Sequence, residues 1–440
     1  MHPAASRLAR ALGCPDQELR PALAGFGLFF CLFCGYFMLR PIREAMGIQA
    51  GVQNLQWLFT ATFIATLVAV PLLAWLNSVV PRRRFIDWTF GFFCLNLLGF
   101  AAAFHWQGDG VALARAFYVW ISVYNLFVVS VAWSLMADVF DAAQARRLFA
   151  FIAAGASVGG LLGPAFSAAL VGVFDASGLA LLASALLGLA IGLKQYLMHW
   201  RETGGAGRPG APPAENPRQP VAGNPFSGVT TVLASPYLLA MCAFVVLLAT
   251  VSTFLYFEQA RVVAERFSSR DEQVRVFGLL DVIVQAGALL SQLFLTGRLA
   301  ERLGLRVLLA MVPVLMCLGL VGLALLPGFG LLAAVMIVRR VGEYAFIRPG
   351  REMLFAPLEA QAKYKAKQFI DTVVYRGGDA ASGWAKSLLD AAGHGAWLPA
   401  LVGAACAAVW AALGWYLGGR QGPGLQRGAD ENLDAEQVPR

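Results

Sequence analysis

Apolar runs long enough to cross a bilayer recur along the whole chain, and that feature leaves very few folds open. Stretches such as "YLLAMCAFVVLLATVSTFLYF" (Tyr237 to Phe257) and "RVLLAMVPVLMCLGLVGLALL" (Arg306 to Leu326) exceed the roughly 18 apolar residues that cover a hydrocarbon core ~30 Å thick at 1.5 Å per residue. Lipid offers no partners for unpaired backbone groups, so such runs must be helices. Composition agrees: 58% of the residues are hydrophobic and 14% charged, where a soluble domain carries about 25% charge. The expected fold class is therefore an all-α integral membrane protein.

Twelve spans are expected, at roughly 22–40, 55–77, 85–104, 112–137, 148–172, 178–198, 232–257, 276–297, 305–326, 329–348, 366–390 and 396–418. The Gly- and Pro-rich stretch "RETGGAGRPGAPPAENPRQPVAGNP" (Arg201 to Pro225) reads as a flexible linker. The expected organisation is an N-terminal segment 1–21, a six-helix bundle 22–198, a linker 199–231, a second six-helix bundle 232–418 and a tail 419–440. Basic residues collect in the loops after spans two, four and eight (Arg82 to Arg84, Arg146 and Arg147, Arg302 and Arg306) and before span eleven. The positive-inside rule then puts those loops and both termini in the cytoplasm, and the protein in the inner membrane. Arg266, Arg270 and Arg275 fall on the other side, among Glu265, Asp271 and Glu272; five other loops agree with the assignment.

The two halves echo each other about 220 residues apart. "GYFMLRPIREA" faces "LYFEQARVVAE", "WLNSVVPRRR" faces "RLAERLGLRV", and "DAAQARRLFAFIAAG" faces "EAQAKYKAKQFIDTV". Three matches in order favour duplication of a six-helix unit. A parallel repeat of six spans, basic second-to-third and eighth-to-ninth loops and a long central linker resemble the major facilitator architecture. That resemblance implies two pseudo-symmetric halves rocking about a site near the bilayer midplane.

The net charge of +8 follows from the loop arginines and points to no nucleic acid. The four His, at 2, 105, 199 and 394, have no ligand spacing, so no metal is expected. "CLFC" (Cys31 to Cys34) has redox spacing but lies in an apolar helix, where small packing residues are the plainer reading. No nucleophile–base set, phosphate loop or paired-carboxylate motif appears; "GASVGG" lacks the Lys and Ser/Thr that a phosphate loop needs. Neither an enzyme nor a cofactor is expected. The N-terminus is polar and carries no small-residue cleavage signal near the first apolar run.

What remains is charge inside the membrane. Of the 34 basic residues only five are lysine, and Lys363, Lys365, Lys367 and Lys386 lie in or beside "KYKAKQFIDTVVYRGGDAASGW". At 100° per residue, Lys365, Asp371, Thr372, Tyr375, Arg376, Asp379, Ser382, Lys386 and Asp390 share an arc of about 140°, opposite Phe369, Val373 and Trp384. One charge at the bilayer centre costs ~2.5–3.5 kcal/mol on insertion scales, so this face must meet water or other polar groups. Span seven carries Glu258 and Arg261, span ten Arg339, Arg340, Glu343 and Arg348, and the end of span one Arg40, Arg43 and Glu44. Arg40, Arg43, Arg261, Arg339, Arg340, Arg348, Lys365 and Arg376 stand against Glu44, Glu258, Glu343, Asp371 and Asp379, eight cations to five carboxylates, and a cavity so lined prefers an anion.

Each group has a second reading. Arg339 and Arg340 can pair with Glu343, and Arg261 with Glu258, as ion clusters that only join helices. Lys363 and Lys367 can snorkel to headgroups. Arg43, Glu258 and Lys365 stand out: Lys365 is least compensated locally, and the other two sit at helix ends near the Tyr-Phe repeat. In "AAGASVGGLLGP", Gly155, Gly159 and Gly163 share one face ahead of Pro164, a close-packing signature; as an exchanger-type glycine and proline motif it is incomplete.

"YFMLRPIREAMGI", "ADVFDAAQARRLFAFIAAGASVGGLLGP" and "EAQAKYKAKQFIDTVVYRGGDAASGW" resemble the bacterial branch of the ATP:ADP antiporter family over nearly all twelve spans. The resemblance implies a major-facilitator-like carrier exchanging nucleoside tri- and diphosphates. It matches the family's basic residue and acid after span one to Arg43 and Glu44, its acid closing span seven to Glu258, and its span-eleven lysine to Lys365 or Lys367. Two positions depart from the pattern: Arg43 stands for a lysine, and Gln144 for an acid after span four. In the architecture it implies, spans one, four, seven and ten line the pathway and eleven more often supports them.

The expected function is a secondary transporter that moves an organic anion, with a nucleotide as one candidate, by alternating access. Its expected solute-binding residues are Arg40, Arg43, Glu258, Arg261, Arg339, Arg340, Glu343, Lys365, Lys367, Asp371, Arg376 and Asp379. Two alternatives stand beside it: proton-coupled symport of a neutral or zwitterionic solute, with Asp371 or Glu258 carrying the proton, and a non-transporting sensor or scaffold on a degenerate carrier. The expected partners are the solute and the lipid bilayer, with no nucleic acid; the chain does not specify an oligomeric state, and a monomer is one candidate.

Overall fold

The computed structural model describes residues 15–108, 110–205, 228–393, 395 and 397–420, and every regular element among them is helical. Most of the expected linker, residues 206–227, and the tail beyond Arg420 lie outside the described residues, as does His394. Spans one to four are Asp16–Gln49, Leu55–Val79, Arg82–Gln107 and Val111–Val139. The helix Ala142–Trp200 holds spans five and six, interrupted where Asp175 takes a φ of 50°. The Asp175 carboxylate accepts the N–H of Gly178 at 3.0 Å, so the residue that breaks the helix also caps the turn after it.

Span seven is Pro236–Arg266. Span eight opens as Arg270–Ser291 and continues through a π turn at Gln292–Thr296. The helix Gly297–Leu325 then turns at Gly304, φ 72°, into span nine. Spans ten and eleven are built alike, each in three pieces. Phe329–Gly342, a π turn Glu343–Ile347 and Arg348–Leu354 form span ten; Ala360–Phe369, a π turn Ile370–Val374 and Tyr375–Ala391 form span eleven. Span twelve is Trp397–Arg420. Nine helices among the described residues are long and apolar enough to cross a membrane as single apolar segments. One of them, Ala143–Thr203, is long enough for two crossings, and spans ten and eleven drop out because charged residues interrupt their apolar runs. The fold is all-α, with the twelve spans that hydropathy suggests.

Contacts divide the chain into two compact units. The first comprises Met1–Val52, Val68–Gly223 and Ala264–Gln285; the second comprises Gln53–Leu67, Asn224–Val263 and Ala286–Arg440. Spans two and eight therefore each give one part to either unit.

In the first unit, Phe29, Phe90, Phe117 and Tyr124 are among the largest fully buried side chains. Span five lies against span one along its glycines. A Cβ on Gly155 would fall 2.2 Å from the Phe26 carbonyl oxygen, on Gly159 2.6 Å from that of Phe30, and on Gly163 2.6 Å from that of Cys34. The four-residue steps match on both helices, so the backbones themselves are in contact, which only glycine allows. Span five starts from a capping box: Asp141 accepts from the N–H groups of Ala143 and Gln144, both at 2.8 Å, and Gln144 Oε1 accepts from Asp141 N at 3.1 Å.

In the second unit, Trp410 packs edge-on against Phe244 at 5.7 Å between centroids. Gly414 and Gly418 bring span twelve onto span nine, with Leu309 O and Arg306 Cα at 2.8 and 2.6 Å from where a Cβ would stand. The first part of span two is pinned here as well: Trp384 Nε1 donates to Thr60 Oγ1 at 3.1 Å, and the Trp57 and Trp384 rings meet edge-on at 4.7 Å.

Candidate functional site

Two of the intramembrane charge clusters, one in each unit, centre on a carboxylate between two arginines. In the first, Arg43 and Glu44 sit near the end of span one. Arg43 Nη2 donates to Glu44 Oε1 at 2.9 Å and Nη1 to Ser122 Oγ at 3.4 Å, with its guanidinium 4.8 Å from the Tyr118 ring centroid. Arg40 Nε lies 3.9 Å from the same Glu44 oxygen and 3.8 Å from Asp281 Oδ2. Glu44 thus stands between two guanidinium groups, and Arg40 between two carboxylates. Arg40 and Glu44, four apart, share one face of the α-helix, while Arg43, the adjacent residue, reaches Glu44 across about 100° through its long side chain.

In the second unit the same theme is built on span ten. Arg339 Nη1 donates to Glu343 Oε2 at 3.0 Å and to Ser252 Oγ on span seven at 2.8 Å, while Arg348 Nη2 donates to Glu343 Oε1 at 3.3 Å. The Arg348 guanidinium also lies 4.6 Å from the Tyr344 ring centroid. Glu343 is buried with Arg339 and Arg340, whereas the side chain of Arg348 is 57% exposed.

Span eleven supplies a second polar layer. Asp371 pairs with Arg351 at 2.9 Å and Arg376 with Asp379 at 3.6 Å. Thr253 Oγ1 donates to Asp379 Oδ1 at 3.4 Å, and the hydroxyls of Thr250 and Ser382 meet at 2.8 Å. Lys386 holds Asp390 at 2.5 and 2.7 Å. In the Tyr375–Ala391 segment the buried residues are Gly378, Asp379, Ala380, Ser382, Gly383 and Lys386, so this polar face turns into the protein. The wide turn at Ile370–Val374 inserts about one extra residue and shifts the later face by roughly 100° from an ideal helix through Lys365.

Arg261 and Glu258 pair one turn apart on span seven. Lys367 donates to Glu352 at 2.6 Å, both groups partly exposed. Lys365 is exposed and has no ion-pair partner among the described residues. Of the twelve expected site residues, the structure joins Arg40 with Arg43 through Glu44, Arg339 with Glu343, Arg261 with Glu258, and Arg376 with Asp379. Arg340 is buried on span ten with Arg339 and Glu343, whereas Asp371 pairs with Arg351, Lys367 with Glu352 and Lys365 with no carboxylate among the described residues.

Several members of these clusters escaped the sequence. Asp281 carried a usable signal, since it is the lone acid within "VFGLLDVIVQAGALL" and an intramembrane carboxylate marks a functional site by default. Ser122, Ser252, Thr253 and Arg351 carried none, because hydroxyls are common in spans and Arg351 sits at a helix end. Gln144, where an acid was expected by resemblance, is accounted for locally. Its Oε1 closes the capping box while its Nε2 donates to Glu18 Oε1 at 3.2 Å, and Arg147 completes the group with bonds of 3.1 and 3.0 Å to Glu18. An ionised carboxylate can accept but not donate, so it could not fill both roles.

The sequence profile described as Major Facilitator Superfamily matches residues 25–349. No curated protein sequence matches the chain significantly. Among solved structures the chain is similar to a bacterial homologue of the iron transporter ferroportin in an inward-facing state, at 13% identity and a TM-score of 0.65, covering 91% of this chain and 99% of that one. It is similar to an auto-inhibited POT family peptide transporter at 14% identity and a TM-score of 0.63, covering 91% and 97%. It is also similar to the nucleoside transporter NupG at 12% identity and a TM-score of 0.60, covering 92% and 99%.

Proposed function

The chain belongs to the Major Facilitator Superfamily, and from that premise we propose that it is a secondary transporter of an organic anion working by alternating access. The solutes named for the similar structures, iron, peptides and a nucleoside, differ in charge and shape. Substrate must therefore be argued from side chains rather than from the fold.

One observation carries the reading: each unit holds a carboxylate gripped by two arginines, Glu44 by Arg40 and Arg43 and Glu343 by Arg339 and Arg348. Glu343 shared in this way cannot neutralise both of its cations, so the second cluster retains positive character that an anion can claim. In the first, Asp281 balances Arg40, and the anion must displace a carboxylate. In the empty carrier Glu44 and Glu343 restrain the guanidinium groups; an entering anion takes over part of their bonding. In the second unit Arg348 and Lys365, the more exposed cations, make first contact, with Arg339 behind them; in the first, Arg43 plays that part. A nucleotide exchanged for its diphosphate is the substrate suggested by resemblance to the ATP:ADP antiporters.

A panel of ATP, ADP, inorganic phosphate, dicarboxylates and neutral nucleosides, read by thermal unfolding of the purified protein, tests class and substrate together. An anion should raise Tm in the wild type and lose that effect in Arg43→Gln and Arg348→Gln. Stabilisation by none of the anions would sink the proposal in favour of a sensor or scaffold.

A second reading, proton-coupled symport, draws on Asp379, which is buried at 8% exposure beside Thr253. Uptake that needs counter-substrate and ignores a pH gradient would reject it.

A further inference from the structure

Span ten contains Pro349, which has no N–H to give. In an α-helix residue 349 would serve the carbonyl of Ala345, four back, and in a π turn that of Tyr344, five back. Inside a bilayer both acceptors must be satisfied by something else. Two side chains of span eight take those carbonyls: Gln292 Nε2 donates to Tyr344 O at 3.1 Å, and Thr296 Oγ1 donates to Ala345 O at 3.0 Å. Gln292 and Thr296 are themselves the first and last residues of the π turn in span eight, and the Thr296 hydroxyl also lies 3.1 Å from the Ser291 carbonyl five residues back.

The wide turn of span ten has a consequence for charge. It is closed by the N–H of Arg348 on the carbonyl of Glu343, which sets residues five apart nearly over one another. In an α-helix they would diverge by about 140°. Arg339 reaches Glu343 from four residues back at 3.0 Å on ordinary helix; Arg348 reaches it from five residues ahead at 3.3 Å because the turn is wide.

We propose that Gln292, Thr296 and Pro349 are positioning residues for the span-ten anion site: in the narrow register the proline ring crowds the Ala345 carbonyl, the two span-eight side chains satisfy the carbonyls of the wide one, and together they seat Arg348 on Glu343. This rests on the reading of Arg348 as a cation that meets solute. In the narrow register the segment beyond the turn rotates, Arg348 leaves Glu343, and the site loses its outer guanidinium.

The test uses the full chain and the variants Thr296→Val, Pro349→Ala and their combination. Thr296→Val strands the Ala345 carbonyl and lowers Tm. Pro349→Ala supplies the missing N–H, so the combined variant regains the wild-type Tm. A purely structural role would end there. Positioning predicts in addition that Arg348, followed by mass spectrometry, reacts with phenylglyoxal about tenfold faster in Pro349→Ala and in the combined variant than in the wild type, as expected when a charged hydrogen bond is lost. The reactivity of Arg306, outside the turn, stays unchanged. Failure of Pro349→Ala to restore Tm, or wild-type reactivity of Arg348 in the combined variant, overturns the proposal. Unimpaired transport by Arg348→Gln would instead remove the functional reading of that arginine and leave the positioning device standing.

Discussion

The two units solve one problem, how to hold two arginines on a single carboxylate inside a membrane, with different backbones. In the first, Arg40, Arg43 and Glu44 meet on an unbroken α-helix, and the helix is fixed by direct backbone contact with the glycines of span five. In the second, Arg339, Glu343 and Arg348 meet across a π turn. The corresponding helices, seven and eleven, are joined there by side-chain hydrogen bonds, Thr250 to Ser382 and Thr253 to Asp379. At Gly378, where span eleven meets span seven, the nearest atom to an added methyl would be Ala249 Cβ at 3.2 Å, against 2.2 to 2.6 Å along span five. Backbone packing fixes the contact of spans one and five, and polar pairing fixes that of spans seven and eleven.

Removal of the central carboxylate should break the comparison most sharply. Glu343→Gln leaves the buried Arg339 without its carboxylate, a loss of ~3–5 kcal/mol for a broken buried pair, while the more exposed Arg348 turns to solvent. Glu44→Gln should cost less, because Arg40 keeps Asp281 at 3.8 Å and Arg43 keeps the ring of Tyr118 at 4.8 Å. Thermal unfolding of the two variants side by side checks the order, and equal losses would mean that the clusters are energetically alike.

Glycine replacement comes next and should act in the opposite unit. Gly155→Ala must push the Phe26 backbone away from span five, at a cost of ~1–3 kcal/mol for overpacking, with a fall in Tm. Gly378→Ala meets a side-chain methyl at 3.2 Å that can yield by a few tenths of an ångström, so its Tm should stay near that of the wild type. A smaller effect is expected for Thr250→Val, which removes one hydroxyl bond worth ~1 kcal/mol and has no counterpart among the glycine contacts of span five.

This contrast also marks how far the sequence was legible. The apolar runs, the internal repeat and the glycine ladder are patterns of period and spacing, and they survive as spans and as the span-one to span-five contact. The charged residues of spans one and ten were visible because charge in a bilayer is anomalous wherever it falls. Their partners were not, since Asp281 and Ser252 reach Arg40 and Arg339 from other helices and no spacing within one helix encodes that. Wide turns were invisible for a different reason. Periodicity at 100° per residue assumes one register throughout, and a single π turn resets the phase, so the face drawn from Lys365 through Asp390 holds only on either side of Ile370–Val374. Pro349 was the one local sign that span ten must depart from that register.

Lys365 and Lys367 give the finest test, because they differ by half a turn of helix and by one partner. Lys367 is held by Glu352 at 2.6 Å with both side chains partly exposed, an arrangement worth ~0–1 kcal/mol. Lys365 is exposed, and no carboxylate pairs with it among the described residues, so Lys365→Gln should shift stability by less than ~0.5 kcal/mol. If that ammonium serves the solute, Lys365→Gln reduces anion uptake in liposomes while Tm stays constant, and Lys367→Gln changes both only slightly. Uptake that survives Lys365→Gln at the wild-type rate would move the burden of charge recognition onto Arg43 and Arg348. A lysine kept exposed without a partner on a membrane helix is then explained by headgroup contact alone, and the anion site contracts to the two arginine-gripped carboxylates.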